Sequence, residues 1–455
     1  MINADTVVIG GGMAGLPLAL QAARHGPTVL IEEDLLGGTC LNRGCIPTKT
    51  MIHSAKVAHL ARRAAEFGVE VGPVRVDLAR VVARKDEVVS KIRNGAMRSV
   101  IHSDRLTLIE ASARFVDLHT VEADGIRYRA QKIVINTGAR PHIPEIADLD
   151  QVPWLDSATA LDLTDLPGHL IVLGGGYVGC EYAQMYRRFG SEVTIIQRAD
   201  RLLPGEDPEV SEVIRQVLRD EGIDLHLGAE PQRVTANSSG RVTVHLDVGK
   251  ITGTHLMVAT GRAPNTGRLD LDTAGIETDD QGFIQVDESY AASLGVYAIG
   301  DVIGPPMFTH SARDDADLLH RHLHQHENIT HRARLVPHAV FTDPEVASFG
   351  LTESQAHTRF GDKTEIGKEH FKTVVKARAI GETAGFVKII TGPDRQIVGA
   401  SIVGPDAANL IHELIIAATT GATVDDVRQS IHIHPTLAEA VNAAAGGVHR
   451  ETGAE

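Results

Sequence analysis

The chain alternates short apolar runs, rich in β-branched residues, with glycine turns and with stretches of helical periodicity. Residues 5–9 (DTVVI) predict a buried strand. Gly10, Gly11 and Gly12 follow, and a helix-like pattern then runs from Met13 to His25. Residues 28–32 (TVLIE) predict the next strand, so the chain opens on a strand–helix–strand unit. The same order returns at 170–197. There LIVL leads into Gly174-Gly175-Gly176-Tyr177-Val178-Gly179, then a helix to Phe189 and a strand VTII. Repetition of this unit predicts two dinucleotide-binding domains. KIVINTG at 132–138 and LMVATGRAPNT at 256–266 hold matching places at the ends of the two units. From about residue 335 the rhythm changes. Strands (GFVKII, QIVGASIVG) and helices (AANLIHELIIAATTG, and the stretch after His434) predict an α+β domain. The last residues, HRETGAE, are expected to fray.

Composition narrows the class. A chain of 455 residues suggests roughly three domains at about 150 residues each. No run of about 18 apolar residues occurs, which argues against a helical membrane span. The start, MINADTVVIGGGMAG, lacks the basic and long apolar regions of a signal peptide. A net charge of −15 argues against nucleic acid or an anionic membrane as partner. Three cysteines are too few for a secreted disulfide framework. These features predict a cytoplasmic α/β enzyme in which any cysteine pair serves chemistry.

In the first unit Gly10-x-Gly12-x-x-Gly15 follows a strand and opens a helix. The glycines let backbone approach a pyrophosphate, and the helix start attracts its charge. Glu32, at the end of the next strand, can accept hydrogen bonds from ribose hydroxyls. In the second unit, with Gly174, Gly176 and Gly179, the matching strand ends at Gln197-Arg198. A carboxylate there would repel a 2′-phosphate, whereas a guanidinium binds one, so NADPH is expected over NADH. Ala199 and Asp200 add no second cation beside Arg198, although Arg201 lies near.

Cys40 and Cys45 lie five positions apart in Gly37-Gly38-Thr39-Cys40-Leu41-Asn42-Arg43-Gly44-Cys45-Ile46-Pro47-Thr48-Lys49. Five residues of ideal helix rise about 7.5 Å, too far for an easy disulfide. A bridge needs a distorted turn, for which Gly44 and Pro47 supply freedom and a break. Such a strained, accessible bridge is the reducible kind. Two free thiols and half a zinc site are the other readings; zinc wants a second ligand pair elsewhere. Cys180, alone in a helix start, reads as core filling.

This stretch resembles the active site of the class I flavin-dependent pyridine nucleotide–disulfide oxidoreductases, which include dihydrolipoamide dehydrogenase, glutathione reductase and mercuric reductase. The resemblance covers essentially the whole chain: the glycine loops, Thr137-Gly138-Ala139, ATGRAPNT with Gly261, YAIGDV (297–302), FTDPEVASFG (341–350) and HIHPTLAE (432–439). It implies an α/β chain of two Rossmann-like domains and an α+β dimerisation domain. Residues 1–145 would bind FAD, 146–266 would bind NAD(P), 267–334 would complete the FAD domain, and 335–455 would form the interface of a homodimer. It also implies site roles. FAD would lie on the first loop, by Thr39 and Thr137-Gly138, with Asp301 at its ribitol or phosphates. Cys45 would be the charge-transfer thiolate and Cys40 the thiol that attacks substrate. Lys49 would sit by the flavin and pair with Glu181. Tyr177 sits where the glutathione reductase branch has a tyrosine lid. Substrate contacts are expected from helices around residues 50–65 and 90–115.

Among 23 histidines His434 stands out, in His434-Pro435-Thr436-Leu437-Ala438-Glu439. A histidine oriented by a carboxylate can take a proton from Cys40 and return it to a leaving thiol. The resemblance brings His434 and Glu439 from the partner subunit. His432 reads as a local structural residue, and the run His320 to His326 as a solvated helix end rather than a metal site. No cysteine follows Cys180, so the C-terminal pairs of mercuric reductases and large thioredoxin reductases have no counterpart. The expected activity is reduction of a small-molecule disulfide by NADPH. An NAD-dependent dihydrolipoamide dehydrogenase, and a mercuric-reductase-like reductase of a metal ion or other oxidant, are the alternatives.

Overall fold

The computed structural model describes residues 1–332 and 334–448. The frayed end expected at 449–455 lies outside the described residues.

The first strand, Ile2–Ile9, sits in the middle of a parallel core whose order is Leu106–Glu110, Thr28–Glu32, Ile2–Ile9, Ile126–Ile135, Val296–Ala298. Val7, Val8 and Ile9 are almost wholly buried, as both-sided covering of a parallel sheet requires. A short antiparallel meander, Ala113–Asp117 and Thr120–Ala123, extends one end of Ile126–Ile135. Residues 296–298 thus return to the sheet built by the first 135, so this domain is assembled from two distant pieces of chain.

The second parallel sheet runs Asp224–Leu227, Glu192–Gln197, His169–Leu173, His255–Val258. Its helix, Tyr177–Phe189, is covered on nearly every side. One face packs on its own sheet and another meets the helix Cys45–Arg62 of the first domain, where the Thr48 and Tyr182 hydroxyls lie 3.2 Å apart. The C-terminal part is a five-stranded antiparallel sheet, His338–Val340, Glu345–Gly350, Ile397–Gly404, Phe386–Thr391, Glu365–His370. Ile411 and Leu414 of the helix Ala407–Thr420 bury its packed face.

Buried charges tie these parts together. Arg188, 6% exposed, bonds Glu221 at 2.7 Å and Asp343 at 2.7 Å. Lys388 reaches Asp207, Glu209 and Glu353 at 2.6–2.9 Å. A buried cation persists only where carboxylates surround it, so these contacts fix how the domains meet rather than add much stability.

Two expectations change. The first helix is Gly15–Ala22, shorter than the 13–25 pattern, because Ala23 to Gly26 close a turn instead. Residues 106–110 and 113–117, expected in a helix, are strands; the helix before them is Leu78–Ile101. Among the described residues no helix is long and apolar enough to cross a membrane.

Candidate active site

One cavity of about 1740 Å³ gathers Gly10, Gly12, Glu32, Thr39, Cys40, Cys45, Lys49, Thr137, Gly138, Tyr177, Glu181 and Asp301. That exceeds the few hundred to about 1,000 Å³ usual for a small-ligand pocket and suits a dinucleotide. Its floor is the first glycine loop. Gly10 has φ +99°, and a Cβ there would stand 2.3 Å from the Asn136 carbonyl oxygen. Gly15 lies so close that a Cβ would meet the Gly10 carbonyl at 2.0 Å. The loop therefore presses on the end of strand Ile126–Ile135 and leaves its outer side open. Glu32 accepts from the Gly11 N–H at 2.6 Å and the Asp34 N–H at 2.9 Å. Burial pushes its carboxyl up, against those two bonds. Asp301 has Arg262 3.4 Å away, and burial raises its carboxyl too. Thr137 donates to the Asn265 carbonyl at 2.8 Å. The cradle and acceptors fit FAD.

The second loop repeats this construction outside the cavity. Gln197 accepts from the Gly175 N–H at 3.0 Å, as Glu32 does from Gly11. A Cβ on Gly179 would meet the Gly174 carbonyl at 1.9 Å. Gly176 carries the helix start, and Gly261 (φ +135°) takes the His142 N–H at its carbonyl. Arg198 is exposed and makes no ion pair among the described residues.

The cysteines occupy the distorted turn that their spacing requires. Cys40 lies in the short helix Gly38–Asn42, and Cys45 is the first residue of Cys45–Arg62. Gly44 makes the break between them (φ −136°, ψ −110°), while Pro47 sits inside the first helical turn, where its missing N–H costs nothing. Both thiols are free, half-buried and hydrogen-bonded to each other. Cys45 is lowered to about 6, first by that bond from Cys40 and, against burial, by Thr309 and the charge of Lys49. Cys40 is pushed well up, first by the same bond and then by burial. Lys49 is held by both oxygens of Glu181, at 3.1 and 2.8 Å, and Glu181 also accepts from the Phe341 N–H at 2.9 Å. Cys180 is fully buried, its thiol on the Gly175 carbonyl.

This asymmetry has a direct consequence. The ultraviolet thiolate absorbance of the dithiol form should persist above pH 6 and fall as pH drops through about 6. Lys49→Met should move the midpoint upward, because a cation that favours the thiolate is gone. A wild-type midpoint near an ordinary thiol's, about 8.5, would contradict the environment described here.

His434 and Glu439 lie away from this cavity within one chain. The imidazole Nδ1 is 2.9 Å from Glu439 Oε1, and the other carboxylate oxygen accepts from the Thr436 N–H at 3.0 Å. The His434 side chain is 65% exposed, directly after Ile433, and both Ile431 and Ile433 are also bare. His432 is instead tied down by Glu413 at 2.8 Å. His320 and His324 end the helix Thr309–Gln325, but they are not simply solvated. Their rings gather against His25, stacked on His324 at 4.1 Å. Burial lowers His324 to about 4. Among the described residues no group of three or more His, Cys, Asp or Glu is arranged to hold a metal ion.

Two residues escape the sequence reading. Thr309, at the start of its helix, places its hydroxyl 3.3 Å from the Cys45 sulfur. Asn136 lies at the point where Gly10, Gly12, Gly15 and Gly300 converge. An asparagine closing a buried strand ahead of Thr-Gly was the available signal for the second; nothing local marks the first.

The chain is similar to known proteins over nearly its whole length. The model for "Pyridine nucleotide-disulphide oxidoreductase" matches residues 4–316, and that family's dimerisation-domain model matches 336–445. The chain is 35% identical to a mercuric reductase of Lysinibacillus sphaericus, covering 97% of this chain and 82% of the relative. It is 36% identical to a dihydrolipoyl dehydrogenase of Haloferax volcanii, covering 97% and 95%. Among solved structures, the HOCl-induced flavoprotein disulfide reductase RclA from Escherichia coli is 32% identical, with a TM-score of 0.89 over 97% of this chain and 99% of that one.

Proposed function

The chain belongs to the class I pyridine nucleotide–disulfide oxidoreductases, and from that premise we propose that it reduces a small-molecule disulfide with NADPH through Cys40 and Cys45. It is an oxidoreductase of a family that uses FAD and a pyridine nucleotide. We assign residues 1–145 and 267–334 to FAD, 146–266 to the nicotinamide nucleotide and 335–455 to a homodimer interface. The exposed isoleucines beside His434 support that last assignment, because a cluster of bare apolar side chains of this size marks an interaction surface.

The observation that carries the reading is the unequal cysteine pair: Cys45 favours the thiolate and Cys40 keeps its proton. Bound FAD would supply the two-electron relay between nicotinamide and the cysteines, held by the Gly10–Gly15 loop, Glu32, Thr137 and Asp301. In the dithiol form Cys40 loses its proton to a base and attacks one sulfur of the substrate disulfide. A bond forms between Cys40 and that sulfur, and the other half leaves as a thiol after taking a proton. Cys45 then attacks the Cys40 sulfur, expels the second thiol and restores the Cys40–Cys45 bridge. One disulfide becomes two thiols for each NADPH and proton consumed. Lys49, pinned by Glu181, is the cation that favours the Cys45 thiolate.

The choice of NADPH rests on Gln197 and Arg198. Gln197 makes the backbone contact that a carboxylate would otherwise make, without its charge, and leaves Arg198 available to a 2′-phosphate. The test is a panel of low-molecular-weight disulfides, lipoamide included, with NADPH and with NADH. Turnover of at least one disulfide, faster with NADPH, is expected. Turnover confined to a metal ion or a quinone would overturn the disulfide reading, and preference for NADH with lipoamide would favour the dehydrogenase.

A further inference from the structure

The turn that carries Asp301 is held from behind by a charged pair that the chemistry above does not use. Gly300–Ile303 form a short 3₁₀ turn, and Asp301 lines the cavity of the cysteines. On the other side Gly300, Asp315 and Arg334 line a second cavity of about 730 Å³. Asp315 is 3% exposed, yet both its carboxylate oxygens are engaged. Oδ2 accepts from the Gly300 N–H at 2.9 Å, and Oδ1 accepts from the Tyr290 hydroxyl at 2.7 Å and from Arg334 Nη2 at 2.6 Å. Gly300 has little room to shift: its φ is +72°, and a Cβ there would stand 2.9 Å from Asn136 Oδ1.

Arg334 reaches Asp315 from the segment that leads into the last sheet. It also pairs with Asp314 at 2.5 Å and donates from Nε to the His331 carbonyl at 2.8 Å, while the His331 ring stacks on Tyr290 at 4.6 Å. Of the three donors to Asp315, Arg334 alone carries charge. A buried carboxylate is costly unless a cation offsets it, and packing alone does not ask for one. Its place matters because of Asp301. Burial raises the Asp301 carboxyl, Arg262 lowers it, and the negative charge of Asp315 raises it again. Without Arg334, the bond to Gly300 would bring an unopposed charge beside a second carboxylate.

We propose that Asp315 and Arg334 are positioning residues of the flavin site: Asp315 fixes the Gly300 peptide so that Asp301 stays aimed at FAD, and Arg334 cancels the charge this would otherwise bring. This rests on the reading that FAD lies along the first glycine loop with Asp301 at its ribitol or phosphates. A turn already set in the bound geometry loses no freedom when FAD arrives, so the pair tightens FAD binding although neither residue lines the FAD cavity.

Equilibrium dialysis of the full-length holoenzyme, with released FAD measured by its fluorescence, tests this. Arg334→Gln keeps a donor and removes the charge; Arg334→Lys keeps the charge. Arg334→Gln should raise the FAD Kd about ten- to hundredfold, the usual worth of a hydrogen bond to a charged group, and Arg334→Lys should stay within about threefold of wild type. The double variant Asp315→Asn with Arg334→Gln should bind FAD more tightly than Arg334→Gln alone, because it leaves no unpaired charge and the new amide still accepts from Gly300. An arginine that only fills space predicts the reverse, with losses that add. Should Arg334→Gln fail to fold, the double variant is compared with Asp315→Ala, which takes the acceptor away from Gly300. The double variant should then bind FAD about threefold more tightly or better; equal affinity overturns the proposal. An Arg334→Gln Kd within about twofold of wild type, or a double variant weaker than Arg334→Gln, also overturns it while the FAD reading stands. If wild type itself holds no FAD, that reading fails and the proposal falls with it.

Discussion

His434→Gln should slow disulfide turnover by about 10²–10⁴-fold, the worth of a positioned acid–base group. The reason lies in the cysteines. With Cys45 as thiolate, Cys40 is pushed up by the bond between them and by burial, so it does not ionise unaided near neutral pH. Attack therefore needs a proton acceptor. His434 is suited to this: Glu439 holds its Nδ1 side, and the side chain is 65% exposed. The hydrogen bond from His434 also holds Glu439 below its ordinary value, so the carboxylate stays charged as the imidazole gains its proton. Because the pair stands away from the cysteines of its own chain, the proposed homodimer brings it to the partner's. Flavin reduction by NADPH should survive the substitution. Mixing Cys40→Ser chains with His434→Gln chains under subunit exchange should restore activity, since some sites then carry both wild-type groups. Heterodimers that form and stay inactive would refute an active site shared between subunits.

Arg198→Glu should lower kcat/KM for NADPH about ten- to hundredfold and shift preference toward NADH. A charge-assisted contact is worth about 1.5–3 kcal/mol, and a carboxylate in its place adds repulsion of the 2′-phosphate. The second glycine loop itself does not change, because Gln197 rather than Arg198 bonds it. Steady-state kinetics with both nucleotides decides the matter; equal use by wild type, unaltered in the variant, would remove Arg198 from the site.

What could be read along the chain was what chemistry writes locally. The glycine loops are contiguous, because backbone must approach backbone within a few residues of Gly10 and Gly174, and the structure shows that crowding directly. The Cys40–Cys45 spacing demanded a distorted turn, and Gly44 makes it. Lys49 and Glu181, 132 positions apart, were paired through the family resemblance rather than through any pattern of their own. Thr309, 264 positions from Cys45, had no comparable signal. Nor did the union of Gly300, Asp315 and Arg334, in which an arginine meets a buried carboxylate on a helix 19 positions earlier. The end of the first helix had no signal either: Arg24 and His25 suit a helix as well as a turn, and only their N–H bonds to the Gln21 and Ala22 carbonyls, three residues back, mark the change.

The central claim is that Cys40 attacks the substrate and Cys45 resolves the product. Mass spectrometry of Cys45→Ser, reduced and then exposed to a disulfide that the wild type turns over, tests it most directly. Without Cys45 the first exchange has no internal partner, so one half of the substrate should remain bound as a mixed disulfide on Cys40. A variant that carries no adduct on Cys40, or that still turns the disulfide over at the wild-type rate, would contradict the account.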